Sequence, residues 1–323
     1  MSTARATGTE RVGPRVLFSA PPEHWAIWRP HLLAAFAAED LDATLTDDPA
    51  GPWTFDYIVH HPGGPLRDFT PFIRAKAVLS LWAGVESIVG NPTLAVPLCR
   101  MVDEGLRRGM AEYVAGHVLR YHLGTDAHVL GQDGIWRNGV VPPLAPDRCI
   151  GLLGLGELGR AVAATLTGLG FDLLGWSRRL KDLPGIATHA GEDGLEEVLG
   201  SAEILVALLP ATPETEGLLD ARRLALLPQG ARLINPGRGS LIDDAALLDA
   251  LDRGHLAHAT LDVFRDEPLP PGHPFWAHPR ITVTPHVASE TRPETAAEAI
   301  ARNVRRGEDG QPLLNVVDRS LGY

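Results

Sequence analysis

The sequence predicts an α/β protein made of two doubly wound parallel sheets, and three observations carry that expectation. Short apolar runs of strand length recur along the chain, each followed by a helical or loop stretch. Midway, the run Cys149-Ile150-Gly151-Leu152-Leu153 leads straight into Gly154-x-Gly156-x-x-Gly159. The chain has 323 residues, enough for two domains of ordinary size, each with its own core. Its 45% apolar and 21% charged residues are globular values, without heptads or a fixed-period repeat.

Val16-Leu17-Phe18 reads as the first strand, and the following stretch places Trp28, Leu32, Leu33 and Phe36 on one helical face. Tyr57-Ile58-Val59 is a second strand ending at His60-His61-Pro62-Gly63-Gly64, and Ala77 to Leu81 is a third ending at Trp82-Ala83-Gly84. In open α/β sheets ligands bind beyond the C-terminal strand ends, which marks the loops at His61 and at Trp82–Val85. A helix over Met110–Leu130 leads into the mid-chain strand, and Gly156–Leu169 forms the next helix. Strands follow at Phe171–Trp176, Glu203–Leu209, Ala231–Asn235, Ala257–Val263 and Ile281–Thr284. A final helix over Glu290–Arg306 returns to the first domain. The expected division is therefore residues 1–108 with 290–323, a discontinuous domain, and residues 109–289.

Each glycine of the mid-chain motif has a physical task. The first permits a tight turn, the second lets a pyrophosphate approach the backbone, and the third lets the new helix pack close to its strand. The phosphates of a dinucleotide then meet free N–H groups at the helix N-terminus. About twenty residues on, an acid would bind the ribose 2'-hydroxyl of NAD, whereas an arginine accommodates the 2'-phosphate of NADP. Here the strand ends Gly175-Trp176-Ser177-Arg178-Arg179, with no carboxylate at its tip. Ser177, Arg178 and Arg179 therefore read as an NADP clamp, with NAD as the other nucleotide.

Composition excludes several roles. A formal charge of -11 opposes polyanions, and basic residues cluster only in pairs such as Arg107-Arg108, Arg178-Arg179 and Arg305-Arg306, so neither a nucleic-acid nor a membrane partner is expected. No run is long enough to span a bilayer, and Met1–Pro14 lacks the apolar stretch of a secretory signal and reads as a disordered tail. Cys99 and Cys149 form no disulfide framework or metal spacing; Cys149 reads as a small buried thiol, and a reducing cytoplasm fits best. His60-His61 and His255-x-x-His258 lack a carboxylate or thiolate partner nearby, so no metal is expected.

Three later segments lie just beyond expected strands: Leu233 to Gly239, Asp262 to Pro268, and Thr284 to Ser289. Reduction of a 2-keto acid needs a cation for carboxylate and carbonyl, a proton donor for the developing alkoxide, and a partner for that donor. Arg238, His286 and Glu267 are those types.

Leu209-Pro210-x-Thr212-Pro213-Glu214-Thr215, Asn235-x-x-Arg238-Gly239-x-x-x-Asp243-x-x-Ala246-Leu247 and Asp262–Pro268 resemble, in order, the signatures of the D-isomer-specific 2-hydroxyacid dehydrogenase family. Leu81–Glu86, Met110–Val114, Thr284–Ala288 and the ending Val317–Tyr323 resemble its glyoxylate/hydroxypyruvate reductase A group. The resemblance covers roughly Phe55–Tyr323 and implies a Rossmann nucleotide domain beside a flavodoxin-like substrate domain. It implies NADPH-dependent reduction of glyoxylate and hydroxypyruvate to glycolate and D-glycerate. In it Arg238 anchors the substrate carboxylate, His286 is the acid/base and Glu267 assists it. Backbone N–H groups around Trp82, Ala83 and Gly84 hold the carboxylate from the other domain, which closes over the substrate. Cofactor-lining positions implied are Met110, Gly154, Gly156, Glu157, Leu158, Gly159, Ser177, Arg178, Arg179, Leu209, Pro210, Thr215, Asn235, Pro236, Gly237, Asp262, His286 and Ala288. A homodimer built through the nucleotide domains is also implied. Another 2-keto acid, phosphite, or a dinucleotide-sensing corepressor-like role are the alternatives; formate is disfavoured by Glu267. Trp276 and Arg292 stand open between bordering the substrate and a purely structural part.

Overall fold

The computed structural model of the chain describes residues 13–136, 138 and 141–322. All of the expected tail except Gly13 and Pro14 therefore lies outside the described residues, as does Tyr323. The chain divides into two compact units, Met1–Asp103 with Thr291–Tyr323, and Glu104–Glu290.

The first unit holds strands β1 (Arg15–Ser19), β2 (Thr44–Thr46), β3 (Tyr57–His60), β4 (Ala77–Ser80) and β5 (Leu98–Cys99), with helix α1 (Pro22–Ala38) after β1. All pairings are parallel, in the order β2-β1-β3-β4-β5. That is the flavodoxin-like order, which reverses direction between β1 and β3. Every residue of β3 and β4 is buried, which is why both read as unbroken apolar runs. The sequence reading missed β2 and β5. A three-residue, partly exposed edge strand and a two-residue strand are too short to leave a periodic signal.

Helix α1 buries Trp28, Leu32, Ala35 and Phe36 against the sheet, with the Trp28 ring 6.0 Å from Phe18 of β1. Leu33, expected on that face, is only partly buried. The i, i+4, i+7, i+8 spacing from Trp28 selects Ala35 in its place. The last helix of the chain, Pro293–Glu308, belongs to this unit and packs on α1 through a stripe containing Ala296, Ala297, Ile300, Ala301 and Val304. It starts three residues later than expected, because Pro293 takes the first helical position, where its missing N–H is harmless.

The second unit opens with α2 (Glu104–Leu123) and α3 (Thr125–Leu130). These replace the single helix expected over Met110–Leu130. Gly124 stands between them at φ +65°, a left-handed conformation that stops α2. The remaining elements follow in the order β6 (Cys149–Leu153), α4 (Glu157–Gly168), β7 (Asp172–Trp176), β8 (Ala187–His189), α5 (Gly191–Ser201), β9 (Ile204–Ala207), α6 (Ala221–Leu224), β10 (Ala231–Asn235), α7 (Asp244–Asp252), β11 (Leu256–Leu261) and β12 (Ile281–Val283). Pro293–Glu308 is thus α8.

The second sheet is parallel in the order β12-β11-β10-β9-β6-β7-β8, the Rossmann order extended by one strand. Its two faces follow from the period-two alternation of strand side chains. Ile150, Leu152, Ile204, Val206 and Ile234 meet Val114, Val118, Val162 and Leu166 of α2 and α4. Leu205 and Leu233 face Val198, Leu247 and Leu251 of α5 and α7. Cys149 is half-buried rather than buried, since it opens β6 at the sheet's end. Among the described residues no helix is long and apolar enough to cross a membrane.

Candidate active site

Beyond β6 the chain turns at Gly154 with φ +106°, where a Cβ would lie 2.7 Å from the Leu208 carbonyl oxygen. A Cβ on Gly159 would fall 1.9 Å from the Gly154 carbonyl oxygen, so α4 can only start this close to the turn with glycine there. Gly156 differs: nothing lies within 4 Å of its Cβ position, and it is exposed. Helix α4 begins at Glu157 with no side chain capping its first N–H groups. Open space before uncapped N–H groups suits the phosphates of a dinucleotide. Glu157 lies 3.8 Å from Arg107, and Leu158 is partly buried.

At the tip of β7, Ser177 is buried and its hydroxyl donates to the Arg179 carbonyl at 2.7 Å. That donor is committed to the shape of the loop, which leaves the exposed Arg178 and Arg179 as its outward cations. Hydrogen bonds from its own backbone and from Thr212 hold Glu214 below the usual carboxylate range, and the Arg178 charge adds to this. The loop after β9 is closed by Thr215, whose hydroxyl donates to Pro210 O at 2.7 Å and accepts from Thr212 N at 2.9 Å. Leu209 is buried beside it.

Asn235 ends β10 and fixes the next turn. Its side chain accepts from Gly237 N at 3.1 Å and donates to Arg238 O at 2.9 Å. Pro236 and Gly237 are buried, while Arg238 is partly exposed, with Nη1 donating to Gly237 O at 2.6 Å. A Cβ on Gly239 would sit 2.0 Å from the Phe264 carbonyl carbon, so the Arg238 turn lies directly on the backbone after β11.

Asp262 leaves β11 fully buried and collects the next loop. Its carboxylate accepts from Val287 N at 2.9 Å, Ala288 N at 2.8 Å and the Thr284 hydroxyl at 2.6 Å. The Tyr113 hydroxyl lies 2.7 Å from that of Thr284, and His286 N donates to Asp262 O at 2.9 Å. Within this frame His286 adopts φ +56°. Its Nδ1 is 2.7 Å from Glu267 Oε2, while Glu267 Oε1 accepts from Phe264 N at 2.8 Å. An ionised carboxylate only accepts, so Nδ1 carries the proton and Nε2 is left as the free ring atom.

The structure thus brings Glu267 and His286 together and sets Arg238 on the adjoining turn. Asn235 and Asp262 are both at 0% exposure, with side chains engaged by their neighbouring turns. Met110 and Ala288 are buried in one core cluster. Tyr113, Thr284 and Gly239 fall within the matched segments, but their parts cannot be read from those motifs, because each acts through a neighbour distant in the chain.

In the first unit, Trp82 is exposed after β4, with its ring 4.9 Å from His61. Trp82 N donates to the Ser80 hydroxyl at 3.1 Å, Met101 N donates to Trp82 O at 3.0 Å, and Ala83 and Gly84 are partly exposed. Trp276 is half exposed and donates to Pro270 O, and Arg292 is an exposed residue just before α8. His255 meets the Leu224 carbonyl and His258 meets Thr282, and no group of three His, Cys, Asp or Glu among the described residues could hold a metal.

The chain is similar to known proteins along most of its length. The family model described as D-isomer specific 2-hydroxyacid dehydrogenase, NAD binding domain, matches residues 117–288. The chain is 44% identical over 262 residues to glyoxylate/hydroxypyruvate reductase A of Serratia proteamaculans, covering 77% of this chain and 82% of that protein. A D-isomer specific 2-hydroxyacid dehydrogenase from Xanthobacter autotrophicus Py2, solved with NADPH and MES, superposes with a TM-score of 0.88 at 40% identity, over 97% of this chain and all of that one. The NADPH-dependent glyoxylate/hydroxypyruvate reductase of Sinorhizobium meliloti, solved with NADP and sulfate, gives 0.82 at 34% identity over 96% of this chain and 99% of that one. With an extended Rossmann sheet, a paired Glu267 and His286, and these relatives, the chain belongs to the D-isomer specific 2-hydroxyacid dehydrogenase family, in its glyoxylate/hydroxypyruvate reductase A group.

Proposed function

We propose that this NADP-dependent enzyme reduces glyoxylate and hydroxypyruvate to glycolate and D-glycerate. The observation that carries the reading is the Glu267–His286 pair with Nε2 left free, beside the Arg238 turn. The Gly154–Gly159 turn takes the pyrophosphate, for which Gly156 leaves room, and Arg178 and Arg179 take the 2'-phosphate. When bound, NADPH supplies the hydride. Arg238 holds the substrate carboxylate and polarises its ketone. Nε2 of His286 delivers the proton to the developing alkoxide. Glu267 keeps the ring in the tautomer and orientation that this requires.

Relatives bearing the reductase name, and structures with NADPH or NADP bound, support the reading. Purified protein should consume NADPH with either keto acid, and His286→Ala or Arg238→Ala should lower kcat about 10²-fold or more. Unchanged rates would remove those residues from the mechanism. Ser177→Asp with Arg178→Leu should raise the KM for NADPH more than that for NADH; equal effects would overturn the clamp.

The exposed apolar side chains Val129, Leu130, Ile135 and Trp136 lie close together in sequence, with Trp136 at 90% exposure. We assign this face to pairing with a second copy of the chain. The unpaired cysteines suit a cytoplasmic location.

A further inference from the structure

Lys181 follows the Arg178–Arg179 loop, and its side chain is partly buried. Nζ donates to the Leu155 carbonyl at 2.6 Å, inside the Gly154–Gly156 turn. The Lys181 carbonyl is itself held by the Thr188 hydroxyl of β8. From the other side, the Leu155 side chain is 1% exposed and lies where Gly175 of β7 lacks a Cβ: that atom would be 2.9 Å from both Leu155 methyl groups. The turn is therefore gripped twice, through its side chain by β7 and through its carbonyl by Lys181.

We propose that Lys181 is a positioning residue that fixes the pyrophosphate turn, tying it to the 2'-phosphate loop so that the two phosphate-binding segments keep one geometry. Burial and the neighbouring Arg160 charge both press against its ionisation, with Glu157 opposing them. A lysine left to solvent would avoid that penalty, whereas the carbonyl contact gives the retained charge a structural use. Because the pyrophosphate is common to both nucleotides, the brace serves NADPH and NADH alike. In this it differs from Arg178, whose proposed ligand, the 2'-phosphate, belongs to NADPH alone.

The inference rests on Gly154–Gly159 being the pyrophosphate turn, so the experiment includes Gly156→Val as a control. Dissociation constants of NADPH and NADH would be measured by fluorescence titration of the wild type, Lys181→Met, Lys181→Arg, Thr188→Val and Gly156→Val. Methionine keeps the stem and removes the donor. The expected result is a loss of about tenfold for both nucleotides with Lys181→Met, the scale of one charge-assisted hydrogen bond. Apo melting temperature and kcat at saturating cofactor should change little, and arginine should restore most of the affinity. Thr188→Val should give a smaller loss in the same direction, and it carries the test if Lys181→Met does not fold. Weakening of NADPH alone would make Lys181 a direct 2'-phosphate ligand and overturn the proposal, as would unchanged affinity for both. Gly156→Val binding like wild type would overturn the underlying site reading; loss there with no effect of Lys181→Met would overturn this inference alone.

Discussion

At the scale of single residues, the site depends on how completely its polar atoms are used. Glu267 has both oxygens engaged, one by the Phe264 N–H and one by the His286 ring. Glutamine at that position can satisfy only one of them as an acceptor. If its amide oxygen takes the Phe264 N–H, its NH₂ confronts the Nδ1 proton and drives the ring to the other tautomer. Glu267→Gln is therefore expected to lower kcat about 10²-fold while leaving cofactor affinity near wild type, read by steady-state kinetics with parallel NADPH titration. A kcat within twofold of wild type would mean that the pair is not used in proton transfer.

At the scale of elements, packing decides questions that propensity alone would answer wrongly. Gly307 lies in the last turn of α8, where alanine would ordinarily stabilise a helix by up to about 1 kcal/mol. Here its Cβ would fall 2.2 Å from the hydroxyl of Tyr57, a fully buried side chain that donates to Glu308 at 2.9 Å. Overpacking should win, and Gly307→Ala should lose about 1–3 kcal/mol in chemical denaturation. His60 at the end of β3 makes a second case. Burial, with smaller contributions from Arg67 and His61, pushes its ring down from 6.5 to about 4. The unfolded chain then takes up a proton that the folded chain refuses, so the contribution is complete above pH 6.5 and is lost as pH falls toward 4. Denaturation midpoints should drop across that window, and His60→Leu should flatten the decline by about 3 kcal/mol at its acid end.

At the scale of the whole molecule, the long strands of both sheets were legible because burial on two faces leaves uninterrupted apolar runs, as in β3, β6 and β9. Edge strands β2 and β8 were not, since three half-exposed residues carry no pattern unless, as in Ile281-Thr282-Val283 of β12, all are β-branched. Arg238, Glu267 and His286 could be proposed for the chemistry because they stand in loops beyond strand ends. The supports could not. Lys181, Tyr113 and Gly239 owe their parts to partners 26, 171 and 25 positions away. On the proposed pairing of the exposed apolar residues near Trp136, light scattering should give a dimer for the wild type and a monomer for Leu130→Glu with Trp136→Lys, and an unchanged mass would move the interface elsewhere.

The missing side chain at Gly239 has a consequence for how the enzyme can diversify. With the Arg238 turn pressed on the Phe264 backbone, any larger residue at 239 must part the two loops. A saturation library at that position should return glycine alone among active clones. On the proposed mechanism, the substrate-anchoring Arg238 and the Glu267 that orients the proton donor are thereby inherited together. New substrate preferences have to evolve from loops that can vary independently of this joint.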